Sequence, residues 1–166
     1  MDEMMAQGGL TFNGTLEAGI RAVAVLGAAF PRDFDIQRLT ALDYLLVHTE
    51  LLGGPADLHP EAPIKTPATD VRRRIVQDAV HLMMTRNLIE RLPTDSGLRY
   101  RAGETAAMFL DALTSPYLKA LKERSVWLAE HFAHYDDNAF DALMRRFFDQ
   151  WVVEFQDVER SLGGQQ

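Results

Sequence analysis

The sequence contains no cysteine. That excludes a disulfide framework and any metal site with thiolate ligands, and it fits a reducing compartment. No uninterrupted apolar run approaches the roughly 18 residues that a membrane span requires. The opening MDEMMAQGG is acidic and too poor in apolar residues to serve as a secretory leader. A soluble, cytoplasmic protein without membrane association is expected. Catalytic signatures are missing too: there is no glycine-rich phosphate loop, no G-x-S-x-G, no H-E-x-x-H and no cysteine nucleophile. Neither an enzyme nor a cofactor is expected, and there is no internal repeat.

Basic residues are outnumbered. Lys and Arg total 17 against 24 Asp and Glu, a net charge of −7, which argues against non-specific coating of nucleic acid. The distribution is uneven. From Lys65 to Arg101 eight bases face four acids, whereas from Glu104 onward six bases face eleven acids. The middle of the chain suits phosphate, an acidic partner, or the chain's own acidic tail.

What is present is organised around Asp70–Arg101. Val71, Ile75, Val76, Ala79, Leu82 and Met83 recur at helical spacing, one face of an amphipathic helix. Thr69 or Asp70 is placed to cap it, and Asn87 to stop it in the left-handed conformation. LIERL and LRYR then flank Pro93–Gly97, a loop of hairpin length. Two helices precede this unit. One runs from about Asn13–Thr15 to Phe30 on a stripe of Leu16, Ile20, Val23, Leu26 and Phe30, with Gly19 and Gly27 permitting close packing. The next follows Asp33 or Asp35 and ends near His48. Residues 51–70 carry four prolines and two glycines; so long an irregular stretch suggests an extended segment packed on the domain.

Beyond the hairpin, a short helix over Gly103–Thr114 is followed by one from Pro116 to His134 and a last one from Ala139 to about Leu162, capped by Asp136 or Asp137. The fold class expected is mainly α (α+β): a winged-helix-like domain with a β-hairpin wing, then a C-terminal helical hairpin. The organisation expected is a flexible N-terminus over 1–12, the winged-helix-like domain over 13–103, the helical region over 104–162 and a flexible tail over 163–166. Phe140, Met144, Phe147, Trp151, Phe155, Val158 and Leu162 form a heptad-like stripe, and Phe148 adds to a second side. These aromatics cover the winged domain or anchor a partner.

Arg72, Arg73 and Arg74 open the helix that would read DNA in a helix-turn-helix arrangement. Arg86, Arg99 and Arg101 extend the basic strip, with Arg91 beside them; the six are candidates for DNA or partner contact. Leu58, His59, Trp127, Phe147, Phe148, Trp151 and Phe155 are candidates for a protein interface. His131 and His134 share a helix end before two aspartates, but two imidazoles at that spacing are a weak metal signature. No metal site, catalytic residue or cofactor-binding residue is assigned. His48 and His59 fit hydrogen bonding within the proline-rich loop better than catalysis.

The run from Phe12 to Pro63 resembles the middle component of bacterial ABC-three-component systems. The matching elements are Phe12-Asn13-Gly14, Leu16-Glu17, Gly19, Arg21, Asp43 to His48, Gly53-Gly54-Pro55, Leu58-His59-Pro60 and Arg72-Arg73. Later matches are Arg86 with Leu88-Ile89, the Gly97–Tyr100 wing, Phe109-Leu110, Ser115-Pro116-Tyr117 and Trp127. Ile64–Asp70 departs from the pattern. The resemblance implies a small non-enzymatic adaptor between an SMC-like ABC ATPase and an effector, commonly a nuclease, in anti-phage defence of the Lamassu type. DNA would then be met through the complex. A winged-helix transcriptional regulator acting as a homodimer is the alternative.

Overall fold

The computed structural model describes residues 14–60 and 70–147. Thr69, Phe148, Trp151, Phe155, Val158 and Leu162 lie outside the described residues. Helices α1 (Thr15–Ala29), α2 (Ile36–Val47) and α3 (Asp70–Thr85) precede an antiparallel hairpin of β1 (Ile89–Thr94) and β2 (Gly97–Ala102). Helices α4 (Ala106–Asp111), α5 (Pro116–His131) and α6 (Asp137–Phe147) follow. The chain is mainly helical with a two-stranded hairpin.

α1 is the central element, packed against the other helices up to α5 and against β2. Being surrounded, it buries a wide face: Ala18, Ala22, Val23, Val25, Leu26 and Ala29. Small residues let the neighbours approach closely. A methyl group added at Gly19 would fall 2.5 Å from Met83 Cε, and one at Gly27 would fall 2.6 Å from Leu110 Cδ1. The expected stripe is therefore corrected at both ends, since Leu16 is 55% and Phe30 60% exposed. The sequence pattern weights large side chains, whereas contact with several neighbours selects small ones.

α2 starts where Asp35 accepts a hydrogen bond from the Arg38 amide at 2.8 Å, a side-chain cap for an otherwise orphaned donor. α3 buries Val76, Ala79, Val80 and Met83. Val71, expected on its apolar face, is 71% exposed, because the buried face begins only at Val76. Asn87 (φ 60°) ends the helical segment in the left-handed region as expected. The hairpin register runs from Ile89 opposite Ala102 to Thr94 opposite Gly97, so the loop is only Asp95-Ser96. Pro93 sits inside β1, tolerated because a two-stranded ribbon consists of edges. The backbone of Phe34, between α1 and α2, also bridges Tyr100 on β2: Phe34 N donates to Tyr100 O at 2.9 Å and Tyr100 N to Phe34 O at 2.8 Å.

Ser115 caps α5, accepting from the Leu118 amide at 3.2 Å, with Pro116 in its first turn. Asp136 accepts from the Ala139 amide at 2.7 Å at the start of α6. Leu121, Leu128, Phe132, Phe140 and Met144 belong to the same continuous buried cluster as Val23, Leu26, Leu45 and Val80. Phe147, next on the heptad-like stripe, is 51% exposed. Among the described residues no helix is long and apolar enough to cross a membrane.

Candidate functional site

α1 and α2 each carry ionisable residues into the core. Arg21 is the sole base in α1 and Asp43 the sole acid in α2; they are 3% and 6% exposed. Arg21 Nε donates to Asp43 Oδ1 at 2.6 Å, and Arg72 Nη1, from α3, donates to Oδ2 at 2.6 Å. One carboxylate thus clamps three helices, since each oxygen accepts a charge-assisted bond. The Arg72 guanidinium also lies 5.2 Å from the Tyr44 ring centroid, within cation–π range.

The loop after α2 is fixed to the end of α2 and to α5. His48 Nδ1 lies 3.2 Å from Asp57 Oδ2. Glu50 and Asp57 exchange backbone-to-carboxylate bonds of 3.0 Å in both directions. Leu58 N donates to Val47 O at 3.0 Å, and Arg124 Nη2 donates to Ala56 O at 3.0 Å. The Trp127 ring covers Gly54 so closely that a methyl group there would meet it at 2.6 Å. His59 Nε2 and the Tyr117 hydroxyl are 2.7 Å apart. Burial first, then the Arg21 charge, push the His59 imidazole down to about 4, and burial pushes the Tyr117 hydroxyl up. His59 is therefore neutral at physiological pH.

A second ionic cluster ties the hairpin to the α1–α2 connection and to the start of α6. Arg99 on β2 donates through Nε to Asp33 and through Nη1 to Asp137 at 2.7 Å. Arg38 Nη1 donates to Asp137 at 3.2 Å and its Nη2 to Tyr135 O at 3.0 Å. Its guanidinium lies 4.6 Å from both the Phe34 and Phe140 ring centroids. Arg32 donates to the Phe132 and Tyr135 carbonyls, each at 3.0 Å. Burial alone raises the Asp137 carboxyl, but bonds and charge from Arg99 and Arg38 outweigh it and hold Asp137 below its usual value.

The sequence candidates separate by environment. Arg72 and Arg99 form ion pairs inside the chain, and Arg73 is half-buried. Arg74 is exposed on α3 and Arg86 in the turn just after it, and Arg101 Nε donates to Glu90 at 3.0 Å on the hairpin surface. Leu58, His59 and Trp127 are half-buried in the loop-to-α5 contact. His131 stacks on Trp127 with centroids 4.9 Å apart, while His134 is exposed. Among the described residues no cluster of three or more His, Cys, Asp or Glu could hold a metal ion. Sequence reasoning assigned no role to Arg21, Arg38 or Asp43. Their signal was a lone charge in an otherwise apolar helical face, which calls for a buried partner.

Arg21, Asp43, Tyr44, His48, Gly54, His59, Arg72, Tyr117 and Trp127, all within the motif elements of the sequence, converge on this loop and clamp. Comparison with curated proteins and with solved structures gives no match. Residues 11–154 match the family described as ABC-three component (ABC-3C) system Middle Component 2. With most of its length covered by that match, the chain belongs to the Middle Component 2 family of ABC-three-component systems.

Proposed function

We propose that this middle component is a non-enzymatic accessory subunit. It links an SMC-like ABC ATPase to an effector, commonly a nuclease, in a cytoplasmic anti-phage defence complex of the Lamassu type. The observation that carries this reading is where the motif residues lie. Arg21, Asp43, His48 and Arg72 are bonded to one another or to loop residues, and none of the four is exposed. A scaffold built this way holds surfaces in place for partners.

The domain is read as winged-helix-like, with α3 as the helix before the wing. Three helices preceding the hairpin support this, as does the Phe34–Tyr100 bridge that adds a third strand position beside β2. Arg74, Arg86 and Arg101 supply the DNA-facing charge within the complex. Phe147, with Phe148, Trp151 and Phe155 beyond it, supplies the partner interface.

The test is affinity purification of the tagged chain from cells carrying its neighbouring genes. A large ATPase should co-elute in fixed ratio and be lost on Trp151→Ala or Phe148→Ala. Elution alone as a dimer with strong, salt-dependent operator binding would overturn the adaptor in favour of a homodimeric winged-helix regulator.

A further inference from the structure

A groove of about 720 Å³ runs between the C-terminal half of α1, the base of the hairpin, α4 and α5. Its floor is made largely of alanine and glycine, including Ala24, Gly27, Ala106 and Ala107. Phe30 and Val126, 60% and 49% exposed, stand along it. The polar side chains that line it are all charged, and most of these are already engaged. Arg101 is bonded to Glu90, and Lys122 Nζ donates to Leu110 O at 2.8 Å. The remaining two, Glu104 and Asp111, flank α4 at its two ends, are exposed, and make no hydrogen bond or ion pair among the described residues.

A small-molecule pocket of this size would carry convergent polar groups to orient its ligand. Here an apolar, small-residue floor meets a charged rim, the anatomy of a protein interface. Because the floor lacks large side chains, the occupant must supply them. Because the uncompensated rim charges are carboxylates, its flanks must be basic.

We propose that this groove receives an amphipathic helix of a partner component, with apolar residues at i, i+3 or i+4 and i+7 flanked by Lys or Arg. The inference deepens the accessory-subunit reading and rests on it for the existence of such a partner. The helix lies over Ala106 and Ala107, its apolar side chains fill the space beside Phe30 and Val126, and its bases pair with Glu104 and Asp111.

The experiment uses the full chain and two labelled helical peptides sharing one leucine ridge, flanked by lysine in one and by glutamate in the other. Fluorescence anisotropy should show the lysine peptide binding at least tenfold tighter. The double variant Glu104→Lys/Asp111→Lys should reverse that preference. Ala107→Arg, at an exposed position that fills the groove, should abolish binding without changing the thermal midpoint. Equal affinity for the two peptides, no binding of either, or binding unaffected by Ala107→Arg overturns the proposal. So does a concentration-dependent dimer that Ala107→Arg dissociates, since a second copy would then be the occupant. Co-purification with the neighbouring gene products separates the two levels. A complex that survives Ala107→Arg sinks the groove and leaves the accessory role standing; a wild-type chain that forms no complex sinks the accessory role.

Discussion

Asp43 is bonded to two arginines that differ in burial, and the difference decides what each contributes. Arg21 is almost fully buried with it, while the Arg72 side chain is 24% exposed. Removing one partner of a buried pair leaves a charge that water cannot reach, a loss of about 3 kcal/mol or more. Asp43→Ala should therefore lower unfolding stability by about 3 kcal/mol. Arg72→Ala should cost about 1.5 kcal/mol, the scale of one charge-assisted bond at a site water partly reaches. Urea unfolding of both variants measures the order, and a larger loss for Arg72→Ala would show that the clamp does not depend on the buried pair. Part of this was legible in the sequence, where Arg72 stood out by its charge run. Asp43 gave a fainter signal, a lone acid in IQRLTALDYLLV that calls for a buried partner, and that partner stays unidentified until the facing helix is known to bring Arg21.

At the scale of elements, local chemistry was read well and tertiary context less so. The Asp35 and Asp136 caps, the Asn87 stop and the two strands depend on neighbours in sequence, and these were visible. The face of α1 depends on how many helices surround it, so Leu16 and Phe30 were placed in a core that Ala18, Ala22 and Ala29 occupy. The hairpin shows the same division for charge. Arg99 and Arg101 alternate with Tyr100 on one strand, and the sequence treated both as surface contacts. Arg99 in fact binds two carboxylates that lie far apart in sequence, Asp33 and Asp137, whereas Arg101 pairs with exposed Glu90 on its own ribbon. Arg99→Ala should destabilise by about 2 kcal/mol, the worth of hydrogen bonds to charged groups in a partly buried site. Arg101→Ala should change stability by no more than about 0.5 kcal/mol, as for exposed pairs. Thermal midpoints in low and high salt distinguish them; equal losses that both vanish in salt would reduce Arg99 to an ordinary surface charge.

For the whole molecule, the question is whether a boundary near residue 103 separates two units. Hydrophobic pattern alone suggested one, because helices resume after the hairpin. Yet α5 delivers Leu121 and Leu128, each 1% exposed, into the cluster that holds Val23 and Leu26 of α1, and burying each such side chain is worth about 2 kcal/mol. Arg99 and Arg38 add ionic ties from the hairpin and α2 to Asp137 at the head of α6. Detaching α5 and α6 would strip the α1 core and break those ties together, so the chain should unfold in one cooperative step. In a Trp151→Phe background, Trp127 fluorescence reports α5, and far-ultraviolet circular dichroism reports all helices. The two denaturation curves should coincide. Leu128→Ala should shift both to lower denaturant together, by about 3 kcal/mol. A Trp127 transition well before the loss of helix, moved alone by Leu128→Ala, would mean that the C-terminal helices form a separable unit and that the continuous core is only a contact between two domains.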